Sequence, residues 1–131
     1  LIAEEKLRER LGAIRWSAFC LPITGLGTFP TKGRPNIIWI GVGAGHPHLF
    51  QLHKRIQDAA LAAGLEPDLR PWHPHTTLAR CRDVSAESIR PFLNAHADFD
   101  AAMIHVESFS LNSSALTPTG SVYTSELVVR A

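Results

Sequence analysis

Trp72-His73-Pro74-His75-Thr76-Thr77-Leu78-Ala79-Arg80 gathers two histidines, two threonines and an arginine into a short run of residues that favour extended backbone. Pro74 biases His73 toward extended geometry and cannot stand inside a helix, so the run from His75 onward reads as a strand. Strand side chains alternate, which predicts His73, His75, Thr77 and Ala79 on one face and Thr76, Leu78 and Arg80 on the other. An imidazole and a hydroxyl two residues apart on one face can reach the same small anion. One moves a proton while the other donates a hydrogen bond to an oxygen.

Upstream, Asn36-Ile37-Ile38-Trp39-Ile40-Gly41-Val42 is almost wholly apolar and reads as a strand buried on both faces. Between these two runs Leu49, Leu52, Ile56, Ala59, Ala60 and Ala63 keep helical spacing, from Pro47 in the first turn to Gly64 as the stop. Nearer the start, Leu7, Leu11 and Ile14 oppose a charged face and predict a surface helix over residues 3 to 13. Residues 16 to 24 suit a strand, and the glycines and proline of residues 25 to 33 suit a turn-rich connection. Downstream, Asp83 and Ser85 offer N-caps for a helix toward Ala97, which Pro91 should kink or shorten. Residues 103 to 112 and 121 to 130 read as strands joined through residues 113 to 120 into an antiparallel hairpin. Helix, strand, strand, helix, strand, helix, strand, strand is the order of an α+β domain, with helices packed outside a mixed or antiparallel sheet. Each half also offers a helix followed by strands and a glycine- and proline-rich loop.

A chain of 131 residues, 45% hydrophobic and 19% charged, suits one globular domain with a core. Its formal net charge of +1 gives no broad electrostatic footprint, so a nucleic-acid partner would be held at a local site. Cys20 and Cys81 stand in no metal-ligand or CxxC spacing and read as buried free thiols of a reducing compartment, with a disulfide left open. No apolar run approaches a membrane span and no signal peptide is visible, which makes a cytoplasmic protein the expectation. The chain begins at Leu1 and passes almost at once into an amphipathic pattern, like one entered part-way through.

Two His-Pro-His pieces, His46-Pro47-His48 and His73-Pro74-His75, are each a possible chelating element, but no third ligand is in view and no metal is expected. His46 and His48 suit caps or surface positions, and His53, His96 and His105 structural roles. No serine stands in a G-x-S-x-G elbow and no glycine loop for phosphates precedes a helix. Trp39 reads as core, while Trp16 and Trp72 remain open to a base-stacking role.

His75-Thr76-Thr77-Leu78, followed by Ala79-Arg80-Cys81-Arg82, resembles the second H-x-T-x motif of the two-histidine phosphoesterases. It is most like the RNA 2′,3′-cyclic phosphodiesterases, also called 2′-5′ RNA ligases. Residues 25 to 30 with 34 to 42 resemble that family's strand, loop and strand before its long helix. Arg70-Pro71-Trp72-His73-Pro74-His75 resembles the approach to its second motif, and Val106-Glu107-Ser108-Phe109-Ser110-Leu111 with Gly120-Ser121-Val122-Tyr123 its closing hairpin. The resemblance implies a bilobal pseudo-twofold α+β fold whose sheets line a central cleft, with one H-x-T-x from each lobe. It implies His75 as one member of an acid/base pair and Thr77 as a phosphate ligand. His73, Arg80 and Trp72 are weaker candidates for substrate contact. No second H-x-T-x occurs in the 131 residues. In the family the first motif precedes a helix like that of residues 3 to 13, so it is expected upstream of Leu1, and residues 1 to 131 are expected to form a single domain with its first lobe incomplete.

The leading expectation is hydrolysis of RNA 2′,3′-cyclic phosphate ends by paired histidines, without metal or cofactor, in a monomer. The alternatives are a module that binds RNA ends or nucleotides without turnover, and 2′-5′ ligation by the reverse reaction.

Overall fold

The structure, a computed structural model, describes residues 2–43 and 46–131. In chain order it runs α1 (Ile2–Gly12), β1 (Phe19–Phe29), β2 (Ile37–Val42), α2 (Pro47–Ala62), β3 (His75–Arg80), α3 (Ala86–Ala95), β4 (Asp100–Val106), β5 (Ser108–Thr117) and β6 (Gly120–Arg130). The class is α+β. Two compact units are built from it, one from Leu1–Phe19, Pro47–Leu69 and His105–Ala131, the other from Cys20–His46 and Arg70–Ile104.

In the first unit α1 and α2 pack with the antiparallel ribbon β5–β6. Leu11, Ala59 and Val129 are buried at its centre, and Leu7, Ile14, Ile56, Phe109, Leu111 and Leu127 close around them. The apolar positions read at helical spacing in α2 are the ones turned inward, with Leu52, Ala59 and Ala63 buried. Gly64, at φ +91°, ends the helix as its pattern requires. Its N–H donates to the Leu61 carbonyl and that of Leu65 to the Ala60 carbonyl, both at 3.0 Å, the paired bonds of a Schellman stop.

The second unit holds a four-stranded sheet in the order β3-β2-β1-β4, together with α3. Ser85 caps α3 by accepting from the Ser88 N–H at 3.2 Å. Asp83, the other expected cap, lies at φ +53° in the turn before it, and α3 runs through Pro91 to Ala95.

Three boundaries differ from the sequence reading. β1 continues through Gly25 to Phe29 where a loop was expected. Gly25, at φ +81°, is the extra residue of a bulge between Thr24 and Leu26, and Gly27 lies opposite Trp39. Both glycines therefore serve the strand rather than end it. The expected strand of residues 103 to 112 is two strands divided at Glu107. The first ends β4; the second begins β5, which pairs with β6. Residues 113 to 117 extend β5 instead of forming a loop, leaving Pro118 and Thr119 as the turn. Their serines are exposed on a two-stranded ribbon, where polar side chains serve well, and Thr117 is half-buried. Cys20, expected to be buried, is exposed, and Cys81 is half-buried; neither forms a disulfide.

The largest departure lies in β3. Ile40 pairs with Thr76 and Trp39 with Thr77, but the next pair is Ile38 with Ala79, so Leu78 is a bulged residue. The bulge reverses the alternation beyond it. His75, Thr77 and Arg80 all share the Trp39 face of the sheet, whereas Thr76 and Ala79 share the Ile38–Ile40 face. Arg80 was expected opposite His75 and Ala79 beside it. The register overturns both.

Candidate functional site

β3 is an edge strand on β2, and its pairing reaches one residue before the strand, because the Val42 N–H donates to the Pro74 carbonyl at 3.3 Å. Pro74 is buried while His73 and His75 on either side are exposed. A proline at this point lacks only an N–H that an edge does not need, and it anchors both histidines at the sheet margin.

His75 Nδ1 lies 2.6 Å from the His73 backbone carbonyl oxygen. A carbonyl can only accept, so Nδ1 carries the proton and donates it. The neutral ring therefore presents a free lone pair at Nε2, and the protonated ring an N–H there. A fixed tautomer of this kind is what a general acid or base requires.

Aromatic side chains of the same sheet face hold the imidazoles. Phe29 meets the His75 ring edge-on at 5.0 Å between centroids and the His73 ring at 5.5 Å. Trp39 lies 4.5 Å from the His73 ring and 6.3 Å from that of His75. The two imidazoles are themselves 6.2 Å apart, and among the described residues no set of three His, Cys, Asp or Glu side chains gathers about a point. Thr77, half-buried and paired with Trp39, stands on that face between His75 and Arg80. Trp72 is 38% exposed just ahead of His73.

His46 and His48 stand at the start of α2, with His48 stacked on Phe19 at 5.9 Å. His53 Nε2 approaches Gln57 Nε2 at 3.3 Å, His105 pairs with Glu107 at 3.2 Å, and His96 caps the end of α3. Trp16 packs on Phe19 and Phe109. Phe29 is the neighbour that sequence reasoning missed, since it fell in the expected loop. Gly25 and Gly27 concealed it, since both read as turn residues until β1 is laid against β2.

The model of the family described as LigT like Phosphoesterase matches residues 40–123, a span that includes β3 and β5 and ends at Tyr123 in β6. Among curated proteins, the RNA 2′,3′-cyclic phosphodiesterase of Aeropyrum pernix is 32% identical over 127 residues, covering 96% of this chain and 72% of that protein. The protein of the same name from Aquifex aeolicus is 30% identical over 107 residues, covering 81% of this chain and 57% of its own. The one from Archaeoglobus fulgidus is 28% identical over 125 residues, covering 93% and 69%. The chain thus spans 57% to 72% of the length of these three relatives. Among solved structures, E. coli LigT complexed with 3′-AMP superposes with a TM-score of 0.72 at 22% identity, covering 98% of this chain and 68% of that one. On the family match and the Aeropyrum relative together, the chain belongs to the LigT-like phosphoesterase family.

Proposed function

We propose that this chain carries one half of a site that opens RNA 2′,3′-cyclic phosphate ends to phosphomonoesters. The observation that carries the reading is the 2.6 Å contact from His75 Nδ1 to the His73 carbonyl, which leaves Nε2 poised on the face that bears Thr77 and Arg80. The relatives' name supplies the substrate class.

In the reaction a water oxygen bonds to phosphorus and the bond from phosphorus to one ribose oxygen breaks. One imidazole takes the water's proton and the other returns a proton to the leaving ribose oxygen, so the product is a phosphomonoester beside a free hydroxyl. Proton transfer by a positioned imidazole is worth on the order of 10²- to 10⁴-fold. His75 is one of the pair. Its counterpart belongs to a first H-x-T-x, which the 131 residues do not contain. The Thr77 hydroxyl donates to a phosphate oxygen, and the Arg80 guanidinium supports the negative charge from the same face. His73 acts through its carbonyl, and Trp72 offers an exposed ring to a base.

The test is hydrolysis of a nucleoside 2′,3′-cyclic phosphate by the complete polypeptide, with chromatographic identification of the product. Turnover that falls 10²-fold or more in His75→Ala supports the assignment. Unchanged turnover in that variant refutes it, and tight nucleotide binding without product points to the binding module instead.

A further inference from the structure

No Asp or Glu occurs between Glu9 and Asp58, nor between Asp68 and Asp83. Within the second unit, Cys20–His46 and the stretch from Arg70 to Arg82 therefore carry Lys32, Arg34, Arg70, Arg80 and Arg82 and no carboxylate. The acids of that unit, Asp83, Glu87, Asp98 and Asp100, all follow. Arg80 ends β3, Lys32 and Arg34 stand between β1 and β2, Arg70 precedes β3 and Arg82 follows it.

The fold then brings the ends of these segments together. Ile37 pairs with Arg80, and the Cys81 N–H donates to the Asn36 carbonyl at 2.8 Å, so the exit of β3 runs beside the loop that leads into β2. Lys32 and Arg34 stand in that loop and Arg82 just past β3, all exposed and in no ion pair among the described residues. From His75 to Arg80 the strand advances by four steps of its partner, Gly41 to Ile37, because Leu78 is bulged, roughly 13 Å at the usual rise. Arg80 lies between, on the His75 face.

We propose that Lys32, Arg34 and Arg82 form a docking track for the ribose-phosphate backbone of single-stranded RNA upstream of the end held at His75. The inference rests on the RNA-end reading above and adds a preference for oligoribonucleotides over mononucleotides. A polyanion tethered at His75 meets Arg80 at the end of β3, then Arg82 past it and Lys32 and Arg34 in the loop alongside, and no carboxylate on these segments repels it. The track reads phosphates rather than bases, so it gives affinity without sequence preference.

Two measurements on the complete polypeptide test the track, using wild type and Lys32→Ala/Arg34→Ala/Arg82→Ala. The first is fluorescence anisotropy with a short single-stranded RNA ending in a 3′-phosphate, across a salt series. Three phosphate contacts give a slope of about −2 in log affinity against log salt, or roughly a 20-fold weakening from 50 to 200 mM. The triple variant is expected to flatten that slope by about 2 and to lose at least 10-fold in affinity at low salt. The second is kcat/KM on an oligoribonucleotide 2′,3′-cyclic phosphate against a mononucleoside one. Only the oligonucleotide value should fall. A Lys32→Arg/Arg34→Lys/Arg82→Lys variant, which keeps the charges, should retain the wild-type slope, and a loss there would show a folding defect and overturn the electrostatic account. Unchanged affinity and slope in the alanine variant, or equal losses on both substrates, overturn the track. If wild type turns over neither substrate, the anisotropy arm still decides the track while the hydrolase reading fails by itself.

Discussion

The indole of Trp39 occupies the space that a side chain at residue 27 would need. Gly27 faces it across the β1–β2 pair, and a Cβ on Gly27 would overlap the ring carbon Cζ2. Trp39 Nε1 is buried with no hydrogen-bond partner among the described residues, so packing alone holds the ring. That ring in turn meets Phe29 at 5.4 Å and His73 at 4.5 Å. Gly27→Ala must push the indole or the strand aside, at a cost of about 1–3 kcal/mol, the usual range for overpacking. Urea unfolding followed by tryptophan fluorescence should show the lower midpoint. Turnover should fall too, because the displaced ring supports the residue whose carbonyl fixes His75. A wild-type midpoint would show that the ring has room to move.

His73 and His75 should respond differently to truncation. What His73 gives His75 is a backbone carbonyl, which an alanine also supplies, whereas His75 offers its ring. His73→Ala is expected to lower kcat less than 10-fold through lost packing on Trp39 and Phe29. His75→Ala should lower it by roughly 10²- to 10⁴-fold. Steady-state rates on a nucleoside 2′,3′-cyclic phosphate compare the two, and equal losses would mean that the His73 ring itself takes part. The ¹⁵N shifts of His75 should report protonation at Nδ1 in wild type and in His73→Ala alike.

The elements legible in the sequence are those whose periodicity is enforced by one buried face. Leu52 and Ala59 on α2 and Ala63 just past it are of this kind; β2 was legible instead from its unbroken apolar run, expected to be buried on both faces, of which Ile38 and Ile40 are buried and Ile37, Trp39 and Val42 half-buried. The start of β3 was legible for another reason, since Pro74 restricts the backbone whatever surrounds it. What stayed hidden depends on partners distant in sequence. Gly27 reads as a loop residue until Trp39 is placed across from it, and nothing within His75 to Arg80 marks Leu78 as the residue that falls out of register. The bulge appears only when β3 is laid against β2. The acid-free segments were visible as composition, but their convergence near Asn36 and Cys81 needed the pairing.

Because the Leu78 bulge turns Arg80 onto the face of His75 and Thr77, Arg80 should matter to the reaction. A hydrogen bond to a charged group contributes about 1.5–3 kcal/mol, so Arg80→Ala is expected to cost roughly 10- to 100-fold in kcat/KM. Arg80→Lys keeps the charge without the planar fork and should recover only part of the loss. Had the strand kept strict alternation, Arg80 would face the other way and both variants would behave as wild type. The same kinetic assay at two salt concentrations separates screening of charge from loss of shape.

Glu126 ties α1 to the ribbon and sets an acid limit on the first unit. Its Oε1 accepts from the Ser113 hydroxyl at 2.7 Å and its Oε2 meets Arg8 at 3.0 Å, while Arg8 also donates to the Glu126 carbonyl at 2.7 Å. The Ser113 hydrogen bond first, and the Arg8 hydrogen bond after it, hold the carboxyl below the usual carboxylate range. The unfolded chain lacks both partners, so on acidification it takes up this proton before the folded chain does. The contribution to stability is therefore complete at neutral pH and is lost as pH falls through the carboxylate range toward the depressed folded value. Glu126→Gln removes the charge and with it this pH dependence. Thermal melts between pH 7 and pH 3 should show the variant less stable than wild type at neutral pH, with the two curves converging as the solution becomes acidic. Parallel curves over that range would mean that the Ser113 and Arg8 contacts do not distinguish the ionised carboxylate from an amide.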